Sequence, residues 1–256
     1  MPDPSFIQTQ QGSSIYLWNG QLLDATDPAL FTQVPPQILQ HNTLGRGTVV
    51  MFAHGDLELV RRHYQRGGLV RHISRDIYLG STVANTRMWR EFHLLQELWQ
   101  LALPVPQPVA ARCEKIAPFL YRGDLITLRI PASYTLAETL RKQSLSDDAW
   151  RELGATLARF HQHGVYHADL NANNILVNEA GRFYLIDFDR GEKRNPDSAW
   201  QQNNLDRLLR SLDKLQRLHE SFHFSATNWA ALQSGYRNQP SLDGEKTQSK
   251  TGWPGQ

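Results

Sequence analysis

The stretch that decides the fold is HADLNANN at positions 167–174, followed directly by the apolar run ILV at 175–177. A turn at 179–181 comes next, and a second apolar run then ends in LIDF at 185–188. The two apolar runs predict the short strands of a hairpin. Such a hairpin brings the carboxylate of Asp187 back towards the loop that carries Asp169 and Asn174. The order therefore predicts two carboxylates and one amide around one position.

This order fits the H-x-D-L-x-x-x-N catalytic loop of kinases and the Asp-Phe motif that follows it. In that interpretation Asp169 accepts the proton of the acceptor hydroxyl, and Asn174 and Asp187 bind Mg²⁺, which prefers oxygen ligands. Transfer of the γ-phosphoryl group of ATP needs these groups and little covalent chemistry from the protein. The sequence therefore predicts a phosphotransferase with an alcohol group as acceptor, with ATP and Mg²⁺ as its cofactors. We expect His167 to order the loop and to take no part in proton transfer.

The rest of the chain is strand-rich before this block and helix-rich around it, which predicts an α+β fold. We expect a bilobal protein-kinase-like arrangement, with a β-rich N-lobe, a helical C-lobe and the active site between them. Residues 1–40 are expected to form an N-terminal extension and residues 41–130 the N-lobe, with an ATP-binding sheet and one helix. Residues 131–236 are expected to form the C-lobe, with Ser146 as the N-cap of one helix. Residues 237–256 lack periodicity and are predicted to be a disordered tail.

Two glycines and a strand are predicted to bind ATP. Gly45 and Gly47 lie in a Gly-x-Gly sequence between two predicted strands, where backbone amides can approach phosphates closely. In the next strand Val60 and Arg62 share one face, which places Val60 near the base and Arg62 near the phosphates. Arginine replaces the lysine that kinases usually carry there, and it binds phosphate bidentately with a permanent charge. A shift of one residue would make Arg61 the ligand instead.

Glu91 is predicted to assist ATP binding by pairing with this arginine. It lies three residues after Met88 and four before Leu95, so it shares the apolar face of a predicted helix. A carboxylate that points inward normally needs a cation partner, and Arg62 would supply it. The alternative is a glutamate at the edge of the helix, exposed to water.

The charge distribution indicates an anionic ligand. The formal net charge of the 256 residues is only +2, which gives no argument for nucleic acid. Positions 61–90, however, carry seven arginines against a single acid, Asp76. A local basic field of this kind attracts anionic ligands or an anionic membrane surface, although a solvated surface would look the same.

The sequence also bears on the compartment. The N-terminus has no basic segment followed by an apolar one, so no secretory signal is predicted. No stretch reaches the roughly 20 apolar residues that a membrane-spanning helix needs. A single cysteine, Cys113, excludes an intramolecular disulfide and fits a reducing compartment. We expect a cytoplasmic protein that binds a membrane peripherally.

Three stretches resemble the 3-deoxy-D-manno-octulosonic acid (Kdo) kinase family of lipopolysaccharide-making bacteria. They are RHYQRGG at 62–68, REF at 90–92 with LPVP at 103–106, and DFDRG at 187–191. The similarity covers roughly residues 44–215. It implies that the enzyme uses ATP and Mg²⁺ to phosphorylate the 4-hydroxyl of a Kdo sugar on a lipid A precursor, in lipopolysaccharide inner-core biosynthesis. It also implies a position on the cytoplasmic face of the inner membrane.

The connector at 65–82 suits this substrate, which is a carboxylated sugar on a phosphorylated lipid. Its arginines are predicted to bind carboxylate or phosphate groups of the acceptor: Arg66, Arg71 and Arg75. The expected partners are therefore the lipid-linked anionic sugar and the inner-membrane surface. No nucleic acid and no protein partner are inferred.

Two other functions remain open from the sequence. A small-molecule kinase of the aminoglycoside or choline type would share the catalytic block. A non-catalytic, nucleotide-binding pseudokinase is less favoured, because the three residues of that block are all present. A protein substrate is not favoured, since Ala168 replaces the arginine that receives an activation-loop phosphate and Asp189 replaces the glycine of Asp-Phe-Gly.

Overall fold

The computed structural model describes residues 6–23, 27–33, 38–42, 49–64, 77–79 and 82–240. The chain divides into two compact units, Met1–Pro131 and Ala132–Gln256. Within the described residues no helix is both long enough and apolar enough to cross a membrane.

The first unit is built on an antiparallel sheet. Its strands are β1 (Phe6–Gln11), β2 (Ser14–Asn19), β3 (Ile38–Asn42), β4 (Val49–His54), β5 (Leu57–His63), β6 (Tyr78–Leu79), β7 (Pro108–Ala117) and β8 (Leu120–Leu128). Its helices are α1 (Ala29–Thr32) and α2 (Arg87–Gln100). The strand order is β1-β2-β7-β8-β5-β4-β3, with β6 paired to β8. Strands β4 and β5 form a hairpin that turns at Gly55, with φ 57°.

Helix α2 packs on this sheet through the apolar stripe that the sequence predicted. Met88, Phe92 and Leu95 are all buried. Gly123 of β8 provides the room, because a Cβ at that position would lie 2.1 Å from the terminal methyl of Met88. The close approach brings the apolar side of α2, which also carries Glu91, against the sheet.

Residues 6–23 and 27–33 contribute to the sheet and its core, whereas the sequence predicted residues 1–40 to form an N-terminal extension. Every residue of β2 is buried, and Trp18 packs with Phe31 and Leu59 in a cluster that also contains part of β4. The ring of Phe6 lies 5.2 Å from that of Phe92 in α2, edge to face. The sequence did not predict strand β1 because its remaining residues are mostly exposed glutamines and a threonine, which give the segment a polar composition.

The second unit contains four helices and five short strands among the described residues. They are β9 (Ser133–Thr135), α3 (Leu136–Lys142), α4 (Asp147–Gln162), β10 (Val165–Tyr166), β11 (Ile175–Asn178), β12 (Phe183–Leu185), β13 (Glu192–Lys193), α5 (Ser198–Leu218) and α6 (Ala226–Asn238). Strands β11 and β12 form the predicted hairpin, and β9 pairs with the other edge of β11. Ser146 caps α4 as predicted, since its hydroxyl accepts a hydrogen bond from the Ala149 N–H at 3.2 Å. The predicted tail begins inside α6, and residues 241–256 lie outside the described range.

Helices α4 and α6 meet at two glycines. A Cβ on Gly154 would lie 2.0 Å from the Leu232 carbonyl oxygen, and a Cβ on Gly235 would lie 2.0 Å from that of Arg151. The two backbones are therefore in direct contact. Beside this contact the buried His161 of α4 joins α6, with 2.7 Å between its Nδ1 and the hydroxyl of Tyr236.

We predict that His161 makes the free energy of unfolding depend on pH. Burial lowers the pKa of His161 to about 4, whereas the unfolded chain has the ordinary value near 6.5. Between these values only the unfolded state binds the proton, so the free energy of unfolding falls as the pH falls. The loss from this residue is about 2 kcal/mol between pH 7 and pH 5.

Urea unfolding at both pH values measures this effect. His161→Gln should be less stable at pH 7 but should lose less further stability at pH 5 than the wild type does. His223→Gln is the matched control, because His223 is exposed. An unaltered pH dependence in His161→Gln would contradict the assignment.

Candidate active site

In the first unit β5 and α2 bring Arg62 and Glu91 together. Nη2 of Arg62 forms an ion pair with Oε2 of Glu91. Glu91 is only 3% exposed, while the Arg62 side chain keeps 20% of its surface in solvent. The structure thus confirms the pairing and excludes the alternative of a glutamate exposed to water.

Tyr64 completes this cluster, and the sequence analysis did not assign it a role. Its hydroxyl donates to the same Glu91 oxygen and accepts from Arg62 Nη2 at 3.0 Å. The guanidinium of Arg62 also lies 4.7 Å from the centre of the Tyr64 ring, within the range of a cation–π contact. The arginine is therefore held by a carboxylate and by an aromatic ring. The period of two along β5 was the available signal, because it places Tyr64 on the side of Arg62.

Arg61 belongs to the opposite face of the sheet. Its Nη1 donates to the carbonyl oxygens of Leu30 at 2.7 Å and Gln33 at 3.1 Å, both in the segment that covers that face. The strand register thus places Arg62, not Arg61, beside Glu91. Val60 shares the side of Arg62 by strand alternation.

Five of the predicted site residues lie outside the described residues. They are Gly45 and Gly47 of the Gly-x-Gly sequence and Arg66, Arg71 and Arg75 of the connector.

In the second unit His167 ties the predicted catalytic loop to the end of the β11–β12 hairpin. Its Nδ1 accepts a hydrogen bond from the Asp169 N–H at 3.2 Å, so the ring proton resides on Nε2 and is donated to the Ile186 carbonyl at 2.9 Å. Burial lowers the pKa of His167, which favours this neutral form, and the ring packs against Phe188. A neutral ring with both nitrogens engaged orders the loop, in agreement with the role expected for it.

Helix α5 supports the same loop from outside. The buried Asn204 makes two hydrogen bonds to the backbone of His167, accepting from its N–H at 3.2 Å and donating to its carbonyl at 3.0 Å. Ser211, two turns later, accepts from the Ala172 N–H at 3.2 Å. Sequence reasoning missed both residues. Two polar residues seven positions apart on the apolar side of a Leu-rich helix were the only signal for them.

The loop and the hairpin bring Asn174 and Asp187 to the same end of β11 and β12. The Ile186 N–H donates to the Asn174 carbonyl at 3.0 Å, and Asp187 is the next residue. The side-chain amide of Asn174 donates to the Asp169 carbonyl at 2.8 Å, while its Oδ1 makes no hydrogen bond within the described part of the chain. Asp187 has φ 62°, a left-handed conformation that is uncommon outside glycine and that concentrates at functional sites.

These side chains match a site for a hard cation. An amide oxygen from Asn174 and a carboxylate from Asp187 are the oxygen donors that Mg²⁺ prefers, and protein Mg²⁺ sites often contain only one or two carboxylates because phosphates and water supply the remaining ligands. The donor set therefore fits Mg²⁺ with a bound nucleotide.

Asp169 itself is accessible. Its side chain is 63% exposed, and Nη1 of Arg207 in α5 lies 3.4 Å from its Oδ1. Arg207 is a further residue at this site that the sequence did not indicate, because it lies 38 positions away.

Comparison with known protein families agrees with this geometry. A family model described as lipopolysaccharide kinase (Kdo/WaaP) family matches residues 36–236. The chain belongs to this family. The match covers every predicted catalytic, metal-binding and ATP-binding residue.

Relatives of this chain in several bacteria share one name. A 3-deoxy-D-manno-octulosonic acid kinase of Mannheimia succiniciproducens is 43% identical over 202 residues, which cover 76% of this chain and 82% of that protein. A 3-deoxy-D-manno-octulosonic acid kinase of Vibrio vulnificus is 35% identical over 238 residues, covering 91% of this chain and 98% of the relative. The family resemblance inferred from the sequence is thus confirmed.

A solved structure supports the fold. WaaP in complex with acyl carrier protein matches with a TM-score of 0.54 over 90% of both chains, at 14% sequence identity. At that identity the likeness concerns the fold alone, and it confirms the predicted α+β, protein-kinase-like architecture.

We predict that Arg62→Ala raises the KM for ATP and lowers turnover, while Arg62→Lys retains substantial activity. Alanine removes the cation and leaves a buried carboxylate, whereas lysine supplies the charge that kinases commonly place there. Initial rates at varied ATP concentration measure the effect, and circular dichroism verifies folding. Arg90→Ala is the matched control, because Arg90 is exposed on α2. A folded Arg62→Ala enzyme with wild-type KM for ATP would contradict the assignment.

Proposed function

We propose that this chain transfers the γ-phosphoryl group of ATP to the 4-hydroxyl of a Kdo sugar attached to a lipid A precursor, in lipopolysaccharide inner-core biosynthesis. The observation that carries the proposal is the second unit's loop. It presents an exposed Asp169, while its hydrogen bonds hold Asn174 beside Asp187. Membership of the Kdo/WaaP family and the names of the relatives support the sugar acceptor.

Asp169 acts as the general base. Its carboxylate accepts the proton of the acceptor hydroxyl as the oxygen attacks the γ-phosphorus, and the bond from that phosphorus to the bridging oxygen of ADP breaks. Exposure leaves room for a bulky acceptor, and the hydrogen bond from the Asp169 N–H to His167 fixes the backbone that carries the carboxylate. ADP and the phosphorylated sugar are the products.

Arg62 binds the α- and β-phosphates of ATP. The contacts with Glu91 and Tyr64 keep its guanidinium in place before the nucleotide arrives, so little side-chain entropy is lost on binding. We propose that Val60 contacts the base and that Gly45 and Gly47, which lie outside the described residues, bind the phosphates.

Asn174 and Asp187 would hold Mg²⁺ together with the nucleotide. When bound, the ion neutralises part of the charge on the phosphates. The side-chain amide of Asn174 donates to the Asp169 carbonyl, so its Oδ1 remains available as a ligand.

The acceptor places the enzyme at a membrane surface. A lipid A precursor is anchored in the bilayer, so a peripheral position on the cytoplasmic face of the inner membrane follows from the proposed substrate. Arg66, Arg71 and Arg75 are proposed to bind its anionic groups, because the connector follows directly on the strand that carries Arg62.

A product analysis tests the proposed function. We predict that the protein, incubated with ATP, Mg²⁺ and Kdo-bearing lipid A precursor, phosphorylates the Kdo sugar, which mass spectrometry detects. Asp169→Asn should lower turnover by about 10²–10⁴-fold and keep the fold, since it removes the general base and preserves the shape of the side chain.

Two outcomes would contradict this proposal. Phosphorylation of choline or an aminoglycoside but not of the Kdo lipid would identify a small-molecule kinase. Near-normal turnover by a folded Asp169→Asn enzyme would remove Asp169 from its role.

A metal titration tests the ligands. We predict that Asp187→Ala and Asn174→Ala both raise the Mg²⁺ concentration needed for half-maximal rate, and that Asp187→Ala is the more damaging because it removes a charge as well as an oxygen. Asn173→Ala is the matched control, because Asn173 lies in the same loop with an exposed side chain. Wild-type rates of Asp187→Ala at low Mg²⁺ would show that Asp187 is not a ligand.

A further inference from the structure

Helix α5 places three polar side chains along the catalytic loop. Asn204, Arg207 and Ser211 are spaced by three and four residues, so they lie on one side of the helix. Asn204 is bonded to the backbone of His167 and Ser211 to that of Ala172, one on each side of Asp169 in the chain. These two contacts fix α5 against the loop and thereby hold Arg207 opposite the carboxylate of Asp169.

The contact between Arg207 and Asp169 involves only one N–H group of the guanidinium. A single 3.4 Å distance joins Nη1 to Oδ1, and the side chains are 45% and 63% exposed. Arg207 makes no other hydrogen bond within the described residues, so four of its five N–H donors are available to a ligand. An exposed ion pair of this kind contributes little to stability, so stability alone gives no reason for an arginine here.

The loop contains no cation of its own. Asp169 is the only charged residue at 167–174, and Asn171 occupies the position at which protein kinases usually have lysine. The side chain of Asn171 is used within the loop, donating to the Asp169 carbonyl at 2.9 Å and accepting from the Asn173 N–H at 2.8 Å. The positive charge beside the general base therefore comes from Arg207.

We infer that Arg207 binds the carboxylate of the acceptor sugar and so selects a carboxylated substrate. The inference rests on the proposed function, in which the acceptor hydroxyl contacts Asp169. An anionic group on the same sugar ring then lies within reach of Arg207, whose planar fork matches a carboxylate bidentately. Arg210 and Lys214 are exposed three and seven residues further along the same side of α5, and they extend the positive charge.

A comparison of two acceptors tests this assignment. One is the Kdo-bearing lipid A precursor, and the other is the same molecule with the sugar carboxylate converted to its methyl ester. Arg207→Gln should lower kcat/KM for the natural acceptor by about 10–100-fold, mainly through KM, since a hydrogen bond to a charged group is lost. Wild type should lose a similar factor on the ester, and Arg207→Gln should lose nothing further on it.

Two more variants sharpen the comparison. Arg207→Lys should recover part of the loss, because it restores the charge but not the fork. Arg237→Gln is the matched control, since Arg237 is exposed in the last turn of another helix, α6, and should behave as wild type on both acceptors. Equal losses for Arg207→Gln on the acid and on the ester would overturn the inference, because Arg207 would then act on Asp169 or on the phosphoryl group.

A binding measurement without ATP separates failure of this inference from failure of the proposed function. Free Kdo is titrated into wild type and Arg207→Gln, and binding is followed by calorimetry or NMR. If wild type phosphorylates no Kdo lipid but binds Kdo more tightly than the variant, the proposed function fails and carboxylate recognition by Arg207 stands. Equal binding by both proteins, or none by wild type, would overturn the inference.

Discussion

The second unit depends on one buried, uncharged imidazole. The ring of His167 accepts a hydrogen bond from the backbone N–H of Asp169 and donates one to the carbonyl of Ile186, the residue before Asp187. A single ring therefore sets the separation between the proposed base and a proposed metal ligand. The ring can do this only while one nitrogen accepts and the other donates, and burial favours that state. Asn204 then fixes the backbone of His167 from α5. Loop, hairpin and helix thus share one hydrogen-bonded centre.

In the first unit ion pairs hold the key side chains in place, whereas in the second unit a neutral histidine does so. On one face of its sheet Glu91 and Tyr64 hold Arg62, with α2 packed closely because β8 has a glycine beneath Met88. On the other face Asp124 joins Arg112 and His63 across β8, β7 and β5. Both carboxylates are almost completely buried, so each needs its arginine partner to offset the cost of desolvation. The paired charges also hold neighbouring elements in register.

The sequence was sufficient to predict features whose residues lie close together in the chain. Asp169, Asn174 and Asp187 lie within 19 residues and are separated by apolar runs, so their order alone indicated a loop and a hairpin. Alternation along β5 and the period of α2 indicated that an arginine of β5 pairs with Glu91, although the choice between Arg62 and Arg61 needed the observed strand register.

Other features could not be read from the chain because folding alone brings them together. Asn204, Arg207 and Ser211 reach the loop from a helix that begins more than 20 residues after it, and an isolated Asn, Arg or Ser on a helix is usually an ordinary surface residue. The strands β1 and β2 were missed because β1 exposes glutamines, and α6 because it shows only a weak apolar stripe. In each case the deciding contact is tertiary.

The guanidinium at position 62 has a chemical consequence. In kinases with lysine there, the amine is a nucleophile that acylating reagents modify, and acylation removes its charge. Arg62 has no such amine, its charge persists at any pH that the folded protein tolerates, and Tyr64 covers part of its surface. Nucleotide-based probes that label kinases through that lysine would therefore find nothing to react with at this position. The same substitution that keeps a positive charge at position 62 therefore removes the amine that acylating reagents would modify.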